Sequence, residues 1–207
     1  VGQKHRSIPL PAELYGQLRA NSKGLDLAND SALVQLNQTA QQFAKHQWSA
    51  APMGEHIQTN DAVAPQSIIN PARHTDVVGY VQEATTEQVE QALNNAQAVQ
   101  DIWARTAKDT RASYLLRAAD LMEARLEELM VLLCRESGKT YANAIAEVRE
   151  AVDFLRYYAT QMIDLDANAE VEPLGTMLCI SPWNFPLAIF TGQVAAALVA
   201  GNTVIAK

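Results

Sequence analysis

From Pro173 to Ala206 the chain runs for 34 positions without a charged residue, and a stretch that long must either cross a bilayer or be buried in a fold. A membrane helix takes roughly 20 apolar residues in one piece. Here Pro182 and Pro186, Gln193 and the pair Gly201-Asn202 cut the run into pieces too short to span. Gly175 to Ile180 is a short apolar segment of the kind buried on both faces in a parallel sheet. Pro186 suits the first turn of a helix, where its missing N–H is not needed, and Leu187 to Ala200 continues as an apolar helix. Gly201-Asn202 ends it, and Thr203 to Ala206 is a second apolar run with β-branched residues. The stretch predicts one strand, helix, strand unit.

Parallel strands joined by a crossover helix carry ligands at their carboxyl ends, and Asn184 and Lys207 both fall there. A neutral carboxamide at the opening of a helix can donate to an oxygen that becomes negative without adding a titrating charge. It can equally serve as a helix cap. Lys207 offers a cation to hydroxyls or phosphate, or is the first charge after a buried strand. Spacing alone leaves both pairs of readings open.

At these residues the sequence resembles the aldehyde dehydrogenase superfamily. The segment Pro182-Trp183-Asn184-Phe185-Pro186 is similar to that family's signature, and the helix with Ala195, Ala196, Ala197, Leu198, Ala200, Gly201 and Asn202, followed by a strand ending in Lys207, matches it as well. So do Asn70-Pro71-Ala72 with Val78-Gly79-Tyr80-Val81, the Glu136-Ser137-Gly138-Lys139 turn, and Glu147-Val148. The resemblance implies an α/β fold: amino-terminal helices and a β-hairpin, then the first β-α-β unit of a Rossmann-like NAD-binding domain. It implies that Asn184 supplies the side-chain half of an oxyanion hole, that Ile180, Ser181, Pro182, Trp183 and Lys207 hold NAD, and that Phe185 lines the substrate pocket. Lys207 is compatible with NAD or NADP.

The stretches Ile8 to Pro11, Leu14 to Gly16, Asn21-Ser22, Gly24 to Asn29 and Ala144 to Leu155 narrow the resemblance to bacterial bifunctional proline-utilisation enzymes. These oxidise proline on a flavin and then glutamate semialdehyde with NAD. The implied role is the second activity, with FAD in a separate proline dehydrogenase module, and the parent is expected to be a homo-oligomer in the cytoplasm, with peripheral contact at the inner membrane as an option. Residues 1–60 are expected to form an inter-module arm and a helix, and 61–207 the first part of the NAD-binding domain. Two alternatives stand beside this: a dehydrogenase for another aldehyde, and a non-catalytic assembly module.

Aldehyde oxidation needs a nucleophile, and a thiolate is the side chain best suited to it. The chain has two cysteines. Cys134 sits on the apolar stripe of a helix and Cys179 inside a strand, so both read as small core residues. In the family the nucleophilic Cys, the general base and the glycine-containing cofactor turn lie beyond the position of Lys207. The chain is therefore expected to be part of a longer enzyme and inactive alone.

A net charge of -7 argues against a nucleic-acid partner, and His5, His46, His56 and His74 lack metal-ligand spacing. The rest of the chain reads as scaffold. Residues 1 to about 30 form an extended arm that docks on another surface. Leu33, Leu36, Ala40 and Phe43 mark a helix capped by Asp30 or Ser31 and closed by Trp48; residues 50–64 are a loop; Ser67 to Ile69 and Val77 to Val81 make a hairpin. Thr85 and Gln88 form a capping box. One long helix is expected from about Asp109 to Ser137, ended by Gly138 in the left-handed conformation. In the next helix, about Tyr141 to Ile163, Glu147, Arg149, Glu150, Asp153 and Arg156 are expected mostly on a solvated face. An acidic connector over Thr160 to Glu172 follows.

Overall fold

The computed structural model describes residues 5–55, 57, 63–165 and 171–207. The expected boundary between residues 60 and 61, His56 and the middle of the acidic connector lie outside the described residues. Six α-helices and five short strands are described: α1 (Asp30–Gln42), β1 (Trp48–Ala50), β2 (Gln66–Ile69), β3 (Val77–Val81), α2 (Thr86–Arg105), α3 (Lys108–Ala124), α4 (Leu126–Ser137), α5 (Tyr141–Asp164), β4 (Met177–Cys179), α6 (Ala188–Val199) and β5 (Val204–Ala206).

The hairpin forms as expected, β2 antiparallel to β3, but a third strand joins it. β1 runs parallel to β3, with Trp48 opposite Gly79. Sequence reasoning placed Trp48 at a helix end because three residues carry no alternation to read. The pairing depends on Gly79, where an added Cβ would lie 2.1 Å from the Trp48 carbonyl oxygen. α1 is capped one residue earlier than expected, by the Asn29 side chain, which accepts from the N–H groups of Ser31 (2.9 Å) and Ala32 (3.3 Å). α2 begins with the expected Thr85–Gln88 capping box.

The single long helix expected over 109–137 is broken at Arg125. Its N–H is shared between the carbonyls of Leu121 (3.2 Å) and Met122 (3.1 Å), and its backbone, at φ -109° and ψ 21°, leaves the helical conformation. The two halves serve different cores. Ala112, Leu115 and Ala119 of α3 pack with Val152, Leu155 and Ala159 of α5 and with Ala195 and Val199 of α6. Met130 and Leu133 of α4 pack with Leu36 of α1 and with Ala144, Ile145 and Val148 of α5. α5 spans both clusters, and each large apolar side chain buried there contributes about 1.5–3 kcal/mol. α5 and α6 approach closely at Gly192, where a Cβ would sit 2.9 Å from the Phe154 ring.

Arg135, near the end of α4, ties three elements together. Its guanidinium donates to the carbonyls of Phe43 (2.8 Å) and His46 (2.7 Å) and to both oxygens of Asp76 (2.7 and 3.3 Å). This pairing, then a hydrogen bond from Asn70, holds the Asp76 carboxyl well below the usual carboxylate range.

Of the five charged residues expected on a solvated face of α5, Glu150 is exposed as expected, Arg149 and Asp153 are half-buried, and Glu147 and Arg156 are buried. Asp153 receives the arm: Arg19 donates to it at 2.7 Å, and the Ser22 N–H and hydroxyl at 3.1 and 2.6 Å. Arg156 is buried and paired with Glu123 at 2.9 Å and Asp120 at 3.1 Å. The arm therefore docks on this chain's own helices, with Asn21 and Ser22 buried.

β4 and β5 form the expected parallel pair around α6. Only one face of β4 is covered: Cys179 is buried, while Leu178 is 63% exposed. The expectation of cover on both faces thus fails, because no described element packs on the second face. α6 carries no charged residue and draws its end caps from elsewhere. Trp103 Nε1 donates to the Leu198 carbonyl at 2.9 Å, Arg111 Nε to that of Val199 at 2.9 Å, and Gln100 Nε2 to that of Gly201 at 3.0 Å.

Candidate active site

The backbone at the carboxyl ends of β4 and β5 brings the expected site residues together. The Lys207 N–H donates to the Cys179 carbonyl at 2.8 Å, and the Ser181 N–H donates to the Lys207 carbonyl at 3.0 Å. Ile180, Ser181, Pro182 and Trp183 therefore leave the sheet beside Lys207. Ile180 is 59% and Trp183 87% exposed, and Pro182 and the Lys207 side chain also face outward. Apolar and flat groups next to one exposed ammonium make a surface suited to a flat ligand carrying hydroxyls or phosphate.

The chain then turns through Trp183 and Asn184, closed by the Phe185 N–H on the Pro182 carbonyl at 3.3 Å. Asn184 is exposed. It does not cap α6. The acceptor at that helix start is Glu147 of α5, whose Oε1 takes the N–H groups of Leu187 (2.8 Å) and Ala188 (3.3 Å). The Asn184 carboxamide is left available to a ligand, which removes the cap reading that spacing alone left open.

Glu147 was expected on a solvated face and is 2% exposed. Its place was readable from the period, since it lies three residues after Ala144 and four before Ala151 on the buried stripe of α5. The Lys139 ammonium reaches Glu147 Oε2 at 2.8 Å, donates to the Asn184 backbone carbonyl at 2.9 Å and sits 4.5 Å over the Phe185 ring. Lys139 can reach this point because Gly138, at φ 66°, turns the chain out of α4.

Neither cysteine lies beside Asn184 as a poised thiolate: Cys179 is buried in β4 and Cys134 half-buried in α4. Burial pushes the thiols of Cys134 and Cys179 up, which disfavours the reactive thiolate. A hollow of about 190 Å³ is lined by Asn70, Arg73, Asp76, Cys134, Arg135 and Tyr141, and its Arg135 and Asp76 are engaged with each other. Among the described residues no group of His, Cys, Asp and Glu is placed to hold a metal ion, and no helix is long and apolar enough to cross a membrane.

Residues 57–207 match the model of the aldehyde dehydrogenase family. Over 207 residues the chain is 54% identical to the bifunctional protein PutA of Escherichia coli (strain K12), covering all of this chain and 16% of that protein. Over 192 residues it is 38% identical to 1-pyrroline-5-carboxylate dehydrogenase of Anoxybacillus flavithermus, covering 87% of this chain and 37% of that one. Among solved structures, 1-pyrroline-5-carboxylate dehydrogenase from Thermus with bound NAD superposes with a TM-score of 0.81 at 29% identity, covering 89% of this chain and 38% of that one. The chain thus spans well under two thirds of these relatives. The matched span contains the Asn184 turn, Lys139, Glu147 and Lys207, and on this ground the chain belongs to the aldehyde dehydrogenase family.

Proposed function

We propose that this chain is part of an NAD-dependent aldehyde dehydrogenase that oxidises L-glutamate γ-semialdehyde, the open form of pyrroline-5-carboxylate, to glutamate in proline catabolism. The identity to PutA and to 1-pyrroline-5-carboxylate dehydrogenase supports the substrate class. The observation that carries the chemistry is the exposed Asn184 carboxamide, relieved of helix capping by Glu147.

In this reading Asn184 donates to the aldehyde oxygen as it becomes negative in the adduct with a cysteine that lies outside this chain. A donor already in place needs no reorganisation when that charge develops. Phe185 lines the substrate side. Ile180 to Trp183 and Lys207 would hold the dinucleotide, Lys207 at a ribose, and NAD when bound accepts the hydride. The fit has a specific feature. The crossover after β4 has no glycine-rich cradle, and the first N–H groups at the start of α6 are taken by Glu147, so α6 does not offer its amino end to a pyrophosphate. Lys207 and the flat outward residues are what this unit presents instead. Residues 1–60 act as the inter-module arm and first helix, and 61–207 as the first part of the NAD-binding domain. FAD belongs to a separate module of the parent, a cytoplasmic homo-oligomer.

The test is Asn184→Ala in the full-length enzyme. Turnover of glutamate semialdehyde should fall about 10²- to 10³-fold, as for loss of an oxyanion donor, with NAD affinity unchanged. Unchanged turnover would remove Asn184 from the chemistry.

A further inference from the structure

We propose that the buried Lys139–Glu147 pair is the positioning device of the Asn184 turn. The inference rests on the reading of Asn184 as the oxyanion donor and deepens it by naming what aims that donor.

The turn from Ser181 to Leu187 is mostly exposed, and a segment of that kind does not hold a side chain in place by packing. Besides the backbone bonds of Ser181 and Phe185, two side-chain anchors hold it, one from α5 and one from the α4–α5 connection. The first is Glu147. Leu187 opens α6 and has no side chain able to cap, yet Glu147 Oε1 accepts from both Leu187 and Ala188, which fixes where α6 begins and therefore where the turn must end. A carboxylate there also complements the positive end of the helix dipole. The second anchor is Lys139, whose Nζ donates to the carbonyl of Asn184 itself at 2.9 Å. That bond fixes the peptide plane of the residue whose carboxamide is to be aimed.

The two anchors form one unit. Glu147 Oε2 is buried, and its partner among the described residues is the Lys139 ammonium at 2.8 Å. The Lys139 ammonium forms an ion pair with Glu147 Oε2, donates a hydrogen bond to the Asn184 carbonyl and lies 4.5 Å from the centre of the Phe185 ring. Lys139 and Glu147 lie in different structural segments, the first in the connection just after α4 and the second in the second turn of α5. The turn is thereby referenced to the layer that carries the core. Neither residue reaches the reacting atoms; both act through Asn184.

The experiment uses the full-length enzyme carrying Lys139→Met with Glu147→Gln. This double change removes both charges together, so no buried charge is left unpaired, and Gln keeps an acceptor for Leu187 and Ala188. Turnover should fall about 10- to 100-fold, the scale of a small misplacement of a catalytic group, with NAD affinity held. In an Asn184→Ala background the same double change should cost less than about twofold, since groups acting through one residue are not additive. Should the double variant fail to fold, Glu147→Gln alone, which keeps the helix cap, is measured in both backgrounds with the same expectation. A loss in Asn184→Ala with none in the pair variant, or losses that simply multiply, overturns the positioning role alone. Unchanged turnover in Asn184→Ala overturns the oxyanion reading and this inference with it.

Discussion

Arg135→Met strips Asp76 of its main partner and shows how much the small sheet depends on one guanidinium. Breaking a buried ion pair by removing one member costs about 3–5 kcal/mol. The lower end applies here, because Asp76 keeps Asn70 at 2.9 Å and Arg73 at 3.3 Å, and His46 is exposed so that water can replace the lost donor at its carbonyl. We expect a loss of about 3 kcal/mol, a large share of the 5–15 kcal/mol that holds a typical domain together. The assay is amide hydrogen exchange on peptides covering β1 and the hairpin, which reads local opening directly; exchange in β3 should speed up about 100-fold. The dependence on pH adds a sign. The Asp76 carboxyl is held well below its ordinary value of 3.8, first by the Arg135 hydrogen bonds. Its contribution is therefore complete above that value and lost as pH falls through the lower folded-state value. The gap between parent and variant should be constant near neutrality and narrow below about pH 4. Unchanged exchange in the variant, or a gap that widens with acid, would refute the assignment.

Gly192→Ala should destabilise by about 1–3 kcal/mol through overpacking: its Cβ would meet the Phe154 ring, which is stacked on Tyr158 with centroids 6.0 Å apart. Adding Phe154→Leu should recover part of the loss in thermal midpoint, and no recovery would show that the strain lies elsewhere. Lys207→Ala in the full-length enzyme should weaken NAD binding, followed by equilibrium titration, while turnover at saturating NAD is kept; an unaltered affinity would refute the ribose role.

The strand, helix, strand unit was legible because an uncharged run interrupted by Pro182, Pro186 and Gly201 has few ways to be buried, and β4, α6 and β5 fall where it placed them. Capping chemistry was legible in the same local way at Thr85. Features that depend on distant partners were not. β1 exists because Gly79 opposite it lacks a side chain. The break at Arg125 carries no proline or glycine, and the halves it separates pack into different cores. The α5 charges were weighed by their chemistry, as a solvent-facing run, when their period already put Glu147 on the buried stripe. Within the site, Asn184 was reached through resemblance to the family, whereas Lys139 and Glu147 gain meaning only once α4, α5 and α6 are assembled around them.

α6 works as a strut of set length. Its 12 residues span about 18 Å, with Glu147 gripping one end and Gln100, Trp103 and Arg111 the other. One inserted residue would lengthen it by about 1.5 Å and swing one end by about 100° relative to the other, so the two grips could not both close. Helices α2 and α3, at the far end from Asn184, thus gauge how far the turn projects beyond the sheet. Length variation among relatives of this chain should accordingly fall in the connector between α5 and β4 and leave the residue count of α6 untouched.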